Sequence, residues 1–189
     1  MLKKIKLFFL FIMIINLIIS AKTSSDAVLN KIFDNYRASD TFYSPFVFKS
    51  FWKLKDQKLV EKGEIFLKKE NKYLIRYENL KDFYLCDGQN SYVYFSEMNQ
   101  AYKSNITKST TMQLNNYLFN LNEFFTVTKF TEEDDLYSFD LIPKDNSLTI
   151  SKASISFDKK KYYPKKLELF SINGDIMQYD FLSPEFNIF

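Results

Sequence analysis

The sequence predicts a mainly β (α+β) protein: one large, curved antiparallel sheet of about ten or eleven strands, accompanied by two helices. Three observations lead there. Apolar and polar residues alternate over most of the chain beyond residue 41. Tight-turn signals such as Asp87-Gly88 and Asn173-Gly174 separate the alternating runs. The regular strand–helix alternation that a parallel sheet requires is missing.

Lys3, Lys4 and Lys6 open the chain, and residues 7–19 are apolar except for Asn16. Ser20-Ala21 then supplies small residues. This order is that of a cleaved secretory signal peptide, which divides the chain into residues 1–21 and a single domain of residues 22–189. The apolar run is shorter than the about 20 residues that cross a bilayer. No cysteine stands directly after it, so a lipidated N-terminal cysteine is not expected.

Residues 24–38 read as an amphipathic helix, with Ser24, Ser25 or Asp26 able to cap it and Val28, Leu29, Ile32, Phe33 and Tyr36 on one stripe. The period becomes two from Thr41. Phe42, Phe46, Phe48, Trp52 and Leu54 fall on even positions, and Pro45 argues against a helix. A strand over 58–68 contains Gly63, and Asn71-Lys72 turns the chain. Tyr73, Ile75 and Tyr77 alternate, 83–86 is a strand ending at Asp87-Gly88, Tyr92 and Tyr94 alternate again, and 101–103 begins a sixth strand. Ser109 can cap a second helix carrying Leu114, Tyr117, Leu118 and Leu121 at helical spacing. Strands resume over 124–130, 136–142, 148–157, 165–170 and 176–182. Aromatic residues on one strand face are the usual filling of a small barrel or half-barrel, and the helices would cover one mouth or face of it.

Composition excludes much. The 189 residues include no histidine, one cysteine and three glycines. Serine–histidine and cysteine–histidine nucleophile pairs, His-ligated metals, disulfide frameworks and glycine-rich phosphate loops are therefore absent from the chain. The carboxylates Glu132, Glu133, Asp134 and Asp135 lie in an expected turn, where solvated charge is the ordinary reading, and no metal site or cofactor is expected. Cys86 alternates inside an apolar strand and reads as a small buried hydrophobe. Lysines at 68–69 and 159–161 sit at strand ends, where charge keeps edges soluble, so nucleic-acid binding is not expected. The formal charge of +3 equals Lys3, Lys4 and Lys6; the remainder is formally neutral. An aromatic and aliphatic strand face remains. It is either a packed core or the wall of a cavity for an apolar ligand, and composition alone does not choose.

Several segments resemble the outer-membrane lipoprotein carrier (LolA) family. They are Gly63-Glu-Ile-Phe-Leu-Lys-Lys-Glu-Asn-Lys-Tyr-Leu-Ile-Arg-Tyr-Glu-Asn, Phe83-Tyr-Leu-Cys-Asp-Gly, Ser91-Tyr-Val-Tyr and Asn99-Gln100. Leu141-Ile-Pro-Lys, Ile155-Ser-Phe-Asp, Pro164-Lys-Lys-Leu and Asn173-Gly-Asp follow in the family's order. The resemblance implies an unclosed antiparallel half-barrel with lid helices over an apolar cavity. It implies a monomeric periplasmic carrier, not an enzyme, that takes acylated lipoproteins from an inner-membrane lipoprotein-releasing ABC transporter to an outer-membrane lipoprotein receptor. A lipid- or envelope-protein-binding sensor of the same fold is the alternative. The implied cavity lining is Phe46, Phe48, Trp52, Phe66, Tyr73, Ile75, Tyr77, Phe83, Leu85, Tyr92 and Tyr94. The implied lid residues are Val28, Ile32, Leu114, Tyr117 and Leu118. Where the family often has Arg-Pro, this chain has Lys69-Glu70, so Lys69 takes the place of the lid-latching arginine without its planar fork.

Overall fold

The computed structural model describes residues 24–105, 118, 121–145 and 149–188. Residues 1–21, expected to be a signal peptide, Leu114 and Tyr117 lie outside the described residues.

Helix α1 spans Ser25–Ala38, and the Ser24 side chain caps it by accepting from the Ala27 N–H at 3.2 Å. The stripe Val28, Leu29, Ile32, Phe33 and Tyr36 is buried as its spacing requires. Twelve strands follow among the described residues. The N-terminal six are β1 (Thr41–Trp52), β2 (Gln57–Lys68), β3 (Lys72–Tyr77), β4 (Phe83–Asp87), β5 (Asn90–Phe95) and β6 (Gln100–Asn105). A short helix α2 (Leu121–Phe124) leads into β7 (Phe125–Glu132), β8 (Leu136–Pro143), β9 (Ile150–Asp158), β10 (Pro164–Ser171), β11 (Ile176–Phe181) and the two-residue β12 (Glu185–Phe186). No helix among the described residues is long and apolar enough to cross a membrane.

The sheet is antiparallel and unclosed, in the order β6-β5-β4-β3-β2-β1-β11-β10-β9-β8-β7, with β12 also on β1. It consists of two meanders, β1–β6 and β7–β11, joined where β1 pairs with β11. Consecutive strands β6 and β7 therefore occupy opposite edges. Leu118 and Leu121, on the connection between them, are buried in the same core as the α1 stripe.

Strand β1 sets the sides. Its even residues Phe42, Ser44, Phe46, Phe48 and Ser50 pair with Leu67, Ile65, Gly63, Glu61 and Leu59 of β2. Phe46 and Phe48 also pair with Phe181 and Tyr179 of β11. These residues share the core face with Leu167, Ile155, Phe139 and Leu141 farther along. Pro45 is tolerated inside this central strand because it sits at the break between β11 and β12. Its carbonyl there accepts from the Leu182 N–H at 3.0 Å, and no ladder donor is demanded.

The strand β12 lies beyond the expected last strand, and Phe186 packs on Tyr36 at 4.9 Å and Phe42 at 5.3 Å between ring centroids. Leu54 does not continue the even face of β1. The chain leaves the sheet at a 3-10 turn, Lys53–Lys55, and Leu54 is exposed. The turn after β2 is residues 69–71, with Glu70 and Asn71 left-handed, and Lys72 already belongs to β3.

Gly63 is a close-approach glycine. The Phe46 ring lies across it, so a Cβ there would stand 2.7 Å from Phe46 Cζ and would also overlap the Arg76 carbonyl oxygen. The backbone oxygen cannot yield. Gly63→Ala is expected to lower unfolding stability by about 1–3 kcal/mol, as overpacking of a filled core does, read from the urea midpoint.

Candidate functional site

The register divides the expected cavity residues between two faces. Phe46, Phe48, Ile75, Tyr73 and Tyr77 share the core face, because Gly63 pairs with Tyr77, Ile65 with Ile75 and Leu67 with Tyr73. The next pairs, Tyr73 with Cys86 and Ile75 with Tyr84, put Cys86 and Tyr84 on that face. Cys86 then pairs with Ser91 and Tyr84 with Val93. Phe83, Leu85, Tyr92 and Tyr94 are consequently on the outer face, as is Phe66, which lies against Tyr43 at 4.7 Å. These five do not line the same surface as the other six. Phe83 and Tyr94 instead stack on each other at 5.1 Å. Trp52 has the parity of the core face but stands at the exposed end of β1, with the Lys55 ammonium 5.8 Å from its ring.

The core face carries a ladder of rings. Phe46 meets Tyr77 at 5.6 Å and Tyr179 at 5.5 Å; Phe48 meets the same two at 5.8 and 4.9 Å; Tyr77 meets Tyr84 at 5.9 Å. Phe46 and Tyr179 are buried, whereas Phe48, Tyr77 and Tyr84 are only half-buried. The apolar face thus grades from a filled centre under α1 towards a half-open aromatic surface on β3 and β4. Val93, Phe95 and Tyr102 continue it to the β6 edge, with Phe95 and Tyr102 at 5.9 Å.

Among the described residues, polar groups within this face are few. The hydroxyls of Tyr77 and Tyr179 are hydrogen-bonded to each other. Burial raises Tyr77 strongly and pushes Tyr179 up to about 12. Glu61, only 3% exposed, is the charged residue that the sequence reading passed over. Its position was a signal, since it interrupts the apolar odd positions Leu59, Gly63, Ile65 and Leu67. The carboxylate accepts from the N–H groups of Asn79 at 2.6 Å and Leu80 at 3.4 Å and from Asn79 Nδ2 at 3.3 Å. It holds the turn between β3 and β4, and its lone pairs are occupied by that work.

The other groups considered for chemistry have structural partners. Cys86 is 1% exposed, burial raises its thiol, and Sγ accepts from the Gly88 N–H at 3.3 Å. Glu132 pairs with Lys159 at 2.8 Å, and the Lys160 and Lys161 N–H groups donate to Asp158.

Lys69 is placed at the end of α1. Its Nζ donates to the Arg37 carbonyl at 3.0 Å and to Asp40 Oδ1 at 2.7 Å, tying the helix C-terminus to the turn between β2 and β3. A cation there also meets the negative end of the helix. Lys69 holds the Asp40 carboxyl below its ordinary value. Of the expected lid residues, Val28, Ile32 and Leu118 are buried in the core.

A family model described as "Outer membrane lipoprotein carrier protein LolA" matches residues 38–188. A search of the curated proteins finds no match to this chain. Among solved structures, an uncharacterized conserved protein from Thermus thermophilus is similar at 8% identity and a TM-score of 0.53, over 88% of this chain and 90% of that one. A LolA superfamily protein from Nitrosomonas europaea gives 12% identity and 0.47, over 88% and 95%. A putative outer membrane lipoprotein-sorting protein domain from Vibrio parahaemolyticus gives 12% and 0.45, over 84% and 92%.

The paired tyrosines predict a pH limit. Tyr179 binds its proton more tightly folded, at about 12, than at the ordinary value of 10.0. Its contribution to stability is therefore fully present below pH 10 and lost as pH rises through about 12. Urea titrations at increasing pH are expected to show stability falling above pH 10, and less steeply in Tyr179→Phe.

Proposed function

This chain belongs to the LolA family, and from that premise we propose that it carries lipoprotein acyl chains against its apolar core face, from the inner to the outer membrane. Family membership supports binding of a lipid or lipoprotein; the direction of transfer and its partners are our reading. The half-open ring surface of Phe48, Tyr77 and Tyr84, continuous with the buried core, carries the proposal. An alkyl chain needs no catalytic group to bind. Each buried CH₂ contributes ~0.8 kcal/mol, so one long chain supplies most of the affinity. Hand-over then requires only an acceptor that binds the chain more tightly. The protein works without catalysis, as a periplasmic monomer addressed by the signal peptide at residues 1–21. An inner-membrane lipoprotein-releasing ABC transporter supplies the cargo and an outer-membrane lipoprotein receptor takes it.

In this reading α1 is part of the lid and Lys69 is its latch. The ammonium makes point contacts to Arg37 O and Asp40, where an arginine would offer a rigid fork. Lys69→Ala is expected to speed amide hydrogen exchange several-fold in residues 25–38 while leaving the β1 and β11 amides unchanged. Unaltered exchange in α1 would remove the latch.

The carrier reading is tested by purification from the periplasm followed by lipid mass spectrometry, with a matched pair of variants. Tyr84 and Tyr94 lie on neighbouring strands but opposite faces. Tyr84→Ser is expected to lower the acylated protein recovered by about ten-fold, the loss of one buried ring, and Tyr94→Ser to leave it unchanged. Recovery of no acylated protein by the unsubstituted chain, together with normal lipoprotein sorting in cells lacking it, would contradict the proposal.

A further inference from the structure

Nine large apolar side chains are exposed among the described residues, and four of them lie near one end of the sheet. Trp52 (40% exposed) ends β1, Leu54 (91%) belongs to the connection between β1 and β2, and Ile172 (73%) to that between β10 and β11. The two connections are fastened together, because the Lys53 N–H donates to Asp175 Oδ1 at 2.9 Å. Directly behind them, Val60 (62%) lines an outer-face groove of 240 Å³ with Phe51, Ile176 and Lys58.

Leu54 is the informative residue. Scattered exposed apolar side chains are ordinary. Leu54, however, sits at the middle of the three-residue turn Lys-Leu-Lys, next to an exposed tryptophan, and no residue of that turn is buried. The fold gains nothing from leucine there. Lys53 and Lys55 flank Leu54, Lys58 follows in β2, and none of the three is in an ion pair among the described residues. Of the nearby acids, Asp175 already accepts from the Lys53 N–H and from Asn173 Nδ2, and Asp56 closes the turn as a single exposed carboxylate against the three lysines. Four side chains also fall far short of the ~800 Å² per partner that a stable protein interface takes. Tryptophan at headgroup depth, aliphatic groups below it and lysines reaching back to anionic headgroups form the arrangement that suits a bilayer surface.

We propose that this tip docks the protein on an anionic membrane surface, with Leu54 and Trp52 inserted and Lys53, Lys55 and Lys58 facing the headgroups. The inference does not rest on the carrier reading, because docking is measured without cargo. The test is flotation of the protein, purified from the periplasm, with vesicles of phosphatidylethanolamine and phosphatidylglycerol or of phosphatidylcholine alone. Every variant carries the same N-terminus, so differences between variants report the tip.

Flotation is expected with the anionic vesicles and is expected to weaken at about 1 M salt, where the screening length falls to ~3 Å. Leu54→Ser is expected to lower the partition about ten-fold through lost apolar burial. The double variant Lys53→Gln/Lys55→Gln is expected to lower it more than ten-fold, at roughly five-fold per lysine. Circular dichroism should be unchanged in both, since all three side chains are exposed. Equal flotation with both vesicle types, or variants that float as well as the unsubstituted chain, would overturn the proposal. So would a dimer in sedimentation that Leu54→Ser dissolves, because the tip would then be a contact between copies.

Discussion

The pairing of β1 is the constraint on which the rest of the structure depends. This strand is hydrogen-bonded to β2 along its whole length and to β11 and β12 on its other side. It is the seam between the two meanders. Because strand side chains alternate with period two, the register at this seam fixes every face assignment outward to the edges. Phe46 lies at the centre of it, over Gly63 on one side and against Tyr179 on the other. A slip of one residue would turn the whole ring ladder to the outer face.

From that constraint comes a sheet whose core face is apolar, yet unevenly filled. Under α1 the packing is complete, and Tyr36, Phe42, Phe46 and Phe139 have almost no exposed surface. Towards β4, β5 and β6 the same face remains aromatic but only half-covered. An alkyl chain laid there would extend the existing core and require no new polar partner. On that face Glu61, Ser44 and the Tyr77–Tyr179 hydroxyls are hydrogen-bonded within the protein, whereas the buried Ser50 hydroxyl has no partner among the described residues. A surface that attracts by area alone holds a chain without discriminating its chemistry, which suits capture and release better than reaction.

Much of this was legible in the sequence. The spacing of Val28, Leu29, Ile32, Phe33 and Tyr36 located α1, and the even positions of β1 located its buried face. What alternation does not supply is phase across a hairpin. Parity inverts from β3 to β4, where Tyr73 pairs with Cys86, and again from β4 to β5, where Cys86 pairs with Ser91, so the core face is odd-numbered in both β3 and β5. The odd-numbered Tyr73 and Tyr77 therefore do not share a face with the even-numbered Tyr92 and Tyr94. Aromatic character could not correct this, since Phe83 and Tyr94 find each other on the outer face as readily as Phe48 and Tyr77 do on the core face. Strand β12 escaped notice because two residues are too few to show a period. Leu54 was misplaced because the alternation of β1 runs on past the point where Asp56 takes a left-handed conformation and turns the chain.

The central claim is that the acyl chain occupies the core face and no other surface. Nuclear Overhauser contacts between the methylenes of an acylated lipopeptide and the ring protons of the protein test it most directly. The account predicts contacts to Phe48, Tyr77 and Tyr84. Contacts confined to Phe83, Tyr92 and Tyr94, or a lipopeptide that leaves all of these rings unperturbed, would contradict it.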